Sequence, residues 1–135
     1  MQKPQLGISL LESLIALLVL SLGLLGVVGL QTQSLTHNRA AYFETQATNM
    51  AQDMLDRIRA NNTNVAAYAL GVGSPVQGSG LPANDRNEWI EDLVSTLPDG
   101  EGGISINDNR VTIVVRWADT SVPDDVRQIE LVSEL

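Results

Sequence analysis

The chain has 135 residues, which is enough for one compact domain with an appended segment and too few for two independent hydrophobic cores. Its formal net charge of −8 would repel a nucleic-acid backbone, so we expect no nucleic-acid partner. The sequence contains no cysteine, which excludes both a disulfide framework and a thiolate metal site.

The first predicted element is an apolar helix over residues 8–30. A bilayer core about 30 Å thick requires roughly 20 apolar helical residues, and this segment supplies them with Glu12 as its one charge. A removed secretory signal peptide is an alternative, but its apolar region would be shorter and would not begin with an acid. An unprocessed membrane anchor is a second alternative. The segment is therefore predicted to span a membrane.

Glu12 is the unusual residue of this segment. A carboxylate in a membrane helix costs about 2.5–3.5 kcal/mol on insertion scales, so such a residue indicates a function by default. Lys3 is the nearest basic residue in the sequence. A cut between Gly7 and Ile8 would create an α-amine much closer to Glu12, and this amine could compensate its charge.

The short basic leader with Lys3, the Gly7–Ile8 bond, Glu12 and the long apolar run together resemble the N-terminus of type IV prepilins. The resemblance implies a leader over residues 1–7, cleavage after Gly7, N-methylation of Ile8, and Glu12 as the fifth mature residue. The family usually has Phe where this chain has Ile8. The resemblance also implies that Glu12 neutralises the α-amine of Ile8 on the next subunit, a head-to-tail contact that propagates as a filament.

Residues 31–60 are predicted to continue the same helix, because no Pro or Gly interrupts them. Apolar residues recur there at spacings of three and four, which indicates an amphipathic helix with one stripe facing a domain. One helix over residues 8–60 would be about 80 Å long. The stripe comprises Phe43, Ala47, Met50, Met54 and Ile58, with Ala51 and Leu55 beside them.

Residues 61–84 are predicted to be a loop region. The polar cluster at 61–64 ends the long helix, residues 66–70 add a helical turn, and the Gly-, Ser- and Pro-rich residues 71–84 form an exposed loop. A second helix is predicted over about 85–97, capped by Asn84 or Asp85 and stopped by Pro98. Its expected apolar face consists of Trp89, Ile90, Leu93, Val94 and Leu97.

The remaining residues predict a small sheet. A turn is expected at 99–103, followed by three β-branched or alternating runs at 104–106, 110–117 and 126–132, which indicate an antiparallel meander. The middle run should direct alternate residues towards the long helix. These residues are Val111, Ile113, Val115 and Trp117. We therefore predict an α+β, pilin-like fold, with residues 85–135 forming a short helix and a three-stranded sheet packed on the long helix.

Two short motifs make the resemblance to type IV prepilins more specific. Leu97-Pro98-Asp99-Gly100 and Arg116-Trp117-Ala118-Asp119 are similar to segments of PilV-type minor pilins. This resemblance implies a minor pilin of the priming or tip complex, with prepilin peptidase and other minor and major pilins as partners in a hetero-oligomeric filament. It further implies a single-pass location in the bacterial inner membrane with a periplasmic C-terminal domain, and a position in the pilus at the cell surface after assembly.

Other functions have weaker support in the sequence. His37 has no identifiable nucleophile, no phosphate-binding motif is present, and we expect neither catalysis nor a cofactor. A calcium site formed by Asp99, Glu101 and Asp108 is another candidate, but these residues lack EF-hand spacing and acidic loops are usually just solvated, so no metal is expected. A GspI-like pseudopilin of a type II secretion system and a bitopic membrane-anchored binding protein remain open as alternatives.

Overall fold

The computed structural model describes residues 10–120, 122 and 124–135. Its elements in chain order are helix α1 (Leu10–Ala60), a 3-10 helix (Asn62–Tyr68), helix α2 (Leu81–Thr96), and strands β1 (Glu101–Asn107), β2 (Arg110–Ala118) and β3 (Val126–Glu134). The predicted α+β class, a long N-terminal helix packed on a three-stranded antiparallel sheet, is confirmed. The chain forms two compact units, Met1–Asn38 and Arg39–Leu135.

Helix α1 is uninterrupted over its 51 residues, as its lack of proline predicts. It ends where the amide of Asn61 donates to the carbonyls of Arg57 and Ile58, a tightened last turn that satisfies helix-terminal acceptors. The residues after it differ from the prediction. The helical turn lies at Asn62–Tyr68 rather than at 66–70, because Leu70 pairs with β1 instead.

The Arg39–Leu135 unit contains the hydrophobic core. One stripe of α1 packs against one face of the sheet and against α2, which confirms the predicted facing of β2. Burying such large apolar side chains contributes about 1.5–3 kcal/mol each. The buried side chains are Ala47, Ala51, Met54, Leu55, Ile58, Tyr68, Leu70, Trp89, Leu93, Leu97, Ile104, Val111, Ile113, Val115 and Trp117.

The sheet is a meander in the order β1-β2-β3, with both neighbouring pairs antiparallel. Ile113 on β2 lies opposite Ile104 on one side and Leu131 on the other. Along β2, buried and half-buried residues alternate, as the period of two in a strand requires. The register therefore places the inward residues of all three strands in one core layer.

Helix α2 begins at Leu81, four residues before the predicted start. The amide of Asn84 already donates a helical hydrogen bond to the carbonyl of Gly80, so neither Asn84 nor Asp85 caps the helix. Pro82 explains the early start, because its fixed φ suits the first helical turn. The predicted apolar face is also wrong in one position, since Val94 is 62% exposed.

Strand β1 starts at Glu101, so the prediction of a turn over 99–103 is wrong beyond Gly100. A type II-like turn at 97–100 precedes it, with Asp99 at a φ of 48° and the amide of Gly100 bonded to Leu97. Gly102 lies within the strand, and a larger residue would not fit there, because a Cβ would come within 2.4 Å of the Trp89 ring. Close packing, rather than turning, is therefore the role of this glycine.

Candidate functional site

The predicted processing residues Gly7 and Ile8 lie outside the described residues. Glu12, the predicted assembly residue, lies in the first turn of α1 with an exposed side chain. A carboxylate in the first turn interacts favourably with the helix dipole. The roles of Gly7 and Ile8 in cleavage and methylation, and of Glu12 in assembly, therefore stay predictions. The position of Glu12 in the first turn is compatible with its predicted role.

The Met1–Asn38 unit presents apolar side chains around the described part of its helix. Every large aliphatic residue from Leu10 to Leu30 is at least half exposed, and α1 is long and apolar enough to span a membrane. Water would penalise an exposed apolar surface of this extent, so it requires lipid or another protein around it. The coarse prediction of a membrane-compatible N-terminal helix is thus confirmed.

An ionic and hydrogen-bonded cluster joins α1 to α2 in the Arg39–Leu135 unit. Arg57 contacts Asp53 at 2.8 Å, Glu88 at 2.5 Å and Asp85 at 3.8 Å. Its hydrogen bond to Glu88 is the main cause that raises the pKa of Arg57, against the opposing effect of partial burial. The hydroxyl of Tyr68 donates to Asp85 at 2.6 Å. This cluster fixes the relative position of α1, α2 and the 3-10 helix.

Arg86 is a buried cation held by backbone oxygens. Its guanidinium donates to the carbonyls of Pro82 at 3.1 Å, Ala69 at 2.8 Å and Gln77 at 2.7 Å. The guanidinium can serve three such separated acceptors because its donors are spread over three nitrogens in a rigid plane. Arg86 therefore organises the 71–80 connection, and its role is structural.

The two motifs that narrowed the family resemblance meet in space. The amide of Ala118 donates to the carbonyl of Pro98 at 2.9 Å, which joins the turn after α2 to the end of β2. Next to this bond, the nearly buried Asp119 accepts a hydrogen bond from Arg127 Nε at 2.5 Å. The motifs thus form one structural corner, in which Leu97 and Trp117 are both buried.

The suggested calcium ligands do not converge. Glu101 opens β1 and pairs with Arg116 at 3.7 Å, whereas Asp108 follows the far end of the same strand. Seven strand residues span about 23 Å, so these two carboxylates cannot share an ion. Across the described ranges, no three His, Cys, Asp or Glu side chains form a group suited to a metal ion. His37 lies on the exposed surface of α1.

Sequence reasoning missed the roles of Arg57, Arg86 and Tyr68. A signal for Arg86 was present, because it follows Ala83 and precedes Trp89 at spacings of three, on the buried stripe of α2. An arginine on such a stripe needs buried acceptors. No comparable signal identified Arg57, whose partners come from two different helices.

No protein-family model matches the chain, and no curated protein or solved structure matches it significantly. Its own residues and fold are therefore the basis on which its function is inferred.

Proposed function

We propose that the chain is a minor pilin of a type IV pilus, processed before Ile8 and assembled through α1. The observation that supports this proposal best is the contrast along α1. Its N-terminal half exposes an apolar surface on all sides, while its C-terminal half buries one stripe under a sheet. A subunit that resides first in lipid and then in a filament core needs both properties in one helix.

The proposed assembly step is electrostatic. Cleavage after Gly7 creates an α-amine on Ile8, and the Glu12 carboxylate of a neighbouring subunit pairs with it. Two charges that are each costly in an apolar environment then form one hydrogen-bonded pair. Removing one partner of such a buried pair costs about 3–5 kcal/mol, so loss of the Glu12 carboxylate should weaken docking strongly.

The remaining parts of the proposal follow from the resemblance to minor pilins. Prepilin peptidase removes the leader, the subunit then waits in the inner membrane with its Arg39–Leu135 unit in the periplasm, and other minor and major pilins receive it in the priming complex. The corner formed by Pro98 and Ala118, which joins the two motifs of the resemblance, supports this narrower assignment.

The first test is the mature N-terminus. We expect intact-mass and N-terminal analysis, in a host with an active prepilin peptidase, to find a chain that lacks residues 1–7 and starts with methylated Ile8. Replacement of Gly7 by Val should block cleavage, whereas Gly23→Ala, in open space on α1, should leave it unchanged. Retention of Met1 on the wild-type chain would refute the proposal and favour a simple membrane anchor.

The second test concerns assembly. Glu12→Ala should be cleaved normally but enter sheared filaments poorly, whereas its neighbour Ser13→Ala should enter them as well as wild type. Normal incorporation of Glu12→Ala into filaments would refute the proposed pairing of Glu12 with the α-amine. A pseudopilin would share both results, so piliation and protein secretion must be measured together in a deletion strain. Loss of secretion with intact pili would contradict a pilus role.

A further inference from the structure

The two edges of the sheet differ in whether another segment of the chain pairs with them. The outer edge of β1 is occupied, because Leu70 and Ile104 exchange two backbone hydrogen bonds of 2.9 and 2.7 Å. Val72 then packs so closely that a Cβ on Gly103 would come within 2.4 Å of its side chain. The chain thus covers one edge with its own 70–72 segment, and β3 forms the other edge.

The hydrogen bonds at both ends of β3 show which of its backbone groups point outward. Leu135 donates to Asn109, and Asp125 accepts from Asp119, so the odd-numbered residues bond towards β2. Alternation in an antiparallel strand then directs the amides and carbonyls of the even-numbered residues to the outer edge. Within the described ranges, no backbone group bonds to those of Val126, Gln128, Glu130 and Val132.

Several of the usual protections of an edge strand are missing from β3, whose charged residues are Arg127, Glu130 and Glu134. It is nine residues long and contains no proline, glycine or lysine. Natural edge strands of this length are normally interrupted by proline, a bulge or lysine, because unpaired backbone groups attract other strands. The outer edge of β3 is therefore suited to strand addition.

The side chains of β3 specify what kind of strand would fit. On the inner face, Ile129 and Leu131 lie at the rim of the core and are only partly buried. An added strand with apolar residues on that face would complete their burial. On the outer face, Glu130 is exposed between Gln128 and the 51% exposed Val132. A basic side chain opposite Glu130 would form a favourable cross-strand pair.

We propose that the β3 edge, residues 126–132, binds an extended segment of another protein in antiparallel orientation, with aliphatic side chains alternating with Lys or Arg. A second copy of this chain fits less well. It would bring Glu130 and Glu134 of both strands to one face, between molecules that each have a net charge of −8. The edge belongs to the Arg39–Leu135 unit, so this proposal holds whether or not Ile8 is the mature N-terminus.

The test uses the full chain in detergent micelles and a fluorescent seven-residue peptide in which lysine alternates with valine. We expect saturable binding by fluorescence anisotropy, and no binding of the same peptide with glutamate in place of lysine. In antiparallel pairing the lysine amides face β3. N-methylation of the lysine amides should therefore abolish binding, while N-methylation of the valine amides should leave it largely intact.

Matched variants locate the site. Glu130→Lys should weaken binding about tenfold, whereas Glu91→Lys, exposed on α2, should change it less than about twofold. Gln128→Pro removes one outward amide at an edge position that tolerates proline, and should weaken binding relative to Gln128→Ala. Circular dichroism verifies folding, and if Gln128→Pro unfolds, the methylated peptides still decide the question.

Three results would overturn the proposal. One is the absence of saturable peptide binding up to about 1 mM, the limit of weak specific recognition. Another is equal binding by wild type and Glu130→Lys, or by peptides methylated on either set of amides. The third is concentration-dependent self-association of the chain that Gln128→Pro abolishes, because it would identify a second copy as the occupant.

Discussion

The indole Nε1 of Trp89 donates a hydrogen bond of 3.0 Å to the backbone carbonyl of Met50. This bond ties the middle of α2 to a carbonyl on the buried side of α1, and the indole ring itself is only 1% exposed. The indole N–H of this large apolar side chain thus fixes the distance between the two helices and their rotation relative to each other.

Replacing Trp89 by Phe should destabilise the Arg39–Leu135 unit by about 2–4 kcal/mol, because it removes the hydrogen bond and leaves a cavity. Urea unfolding of the full chain in detergent, followed by circular dichroism, measures the loss. Val94→Ala, at an exposed position on the same helix, is the control and should cost less than about 0.5 kcal/mol. Equal midpoints for both variants would contradict the anchoring role of Trp89.

Gly102→Ala should destabilise by about 1–3 kcal/mol, since the new methyl group would overlap Trp89 Cζ3 and Leu93 Cδ1. The same change in the Trp89→Phe background should cost less, because the overlapping indole atoms are gone. A double-mutant cycle of unfolding free energies gives the coupling. A coupling within error of zero would show that Gly102 is not limited by the indole ring.

Arg86→Lys should lower the unfolding free energy by about 2–4 kcal/mol, because an ammonium group cannot reach three dispersed carbonyls and leaves buried acceptors unsatisfied. Amide hydrogen exchange should rise specifically across residues 70–80. Arg116→Lys on the sheet surface is the comparison, with an effect of less than about 1 kcal/mol. Unchanged exchange in the 70–80 connection would argue against its organisation by Arg86.

Tyr68 should make the fold sensitive to alkali. Burial, followed by its hydrogen bond to Asp85, raises the pKa of Tyr68 above 10.0. The native state therefore holds the phenol proton more tightly than the unfolded chain does. This contribution to stability is complete below a pH of about 10 and is lost as the pH rises through the higher native pKa.

Thermal unfolding between pH 8 and 11 measures this effect. Tyr68→Phe should be less stable at pH 8 by about 1 kcal/mol, through loss of the hydrogen bond, and should show a flatter decline above pH 10. Tyr42→Phe, at an exposed position on α1, should follow the wild-type profile. A decline of the same slope in Tyr68→Phe would assign the alkaline sensitivity to another group.

The long helix and the orientation of β2 were predictable because both depend on local periodicity. The spacing of Ala47, Met54 and Ile58 defined the buried stripe of α1, and the alternation from Val111 to Trp117 defined the inner face of β2. In each case the apolar residues lie on one side of a regular element, and burial of that side decides the packing.

The connections between elements were less predictable, because their conformation depends on distant partners. Local composition places Leu70 at the end of a helical turn, just before a Gly-rich loop, yet Leu70 pairs with Ile104, more than thirty residues later. Arg86 donates to one carbonyl just before that loop, at Ala69, and to one within it, at Gln77. Composition alone assigns Gly102 to a turn, and only the position of Trp89 explains why a glycine lies in the strand. Neither periodicity nor turn composition contains this long-range information.

Strands β1, β2 and β3 pair with one another in sequence order, so the pairings of the sheet lie within residues 101–135, apart from the bridge between Leu70 and Ile104. The buried stripe of α1 is made much earlier than Val111 and Val115, which belong to the same core cluster as Ile58. During synthesis the amphipathic half of α1 therefore emerges with its apolar stripe in water until the last strands arrive. We expect truncation before β2 to leave an aggregation-prone, protease-sensitive helix. Synthesis of β2 and β3 is therefore the step that completes the core.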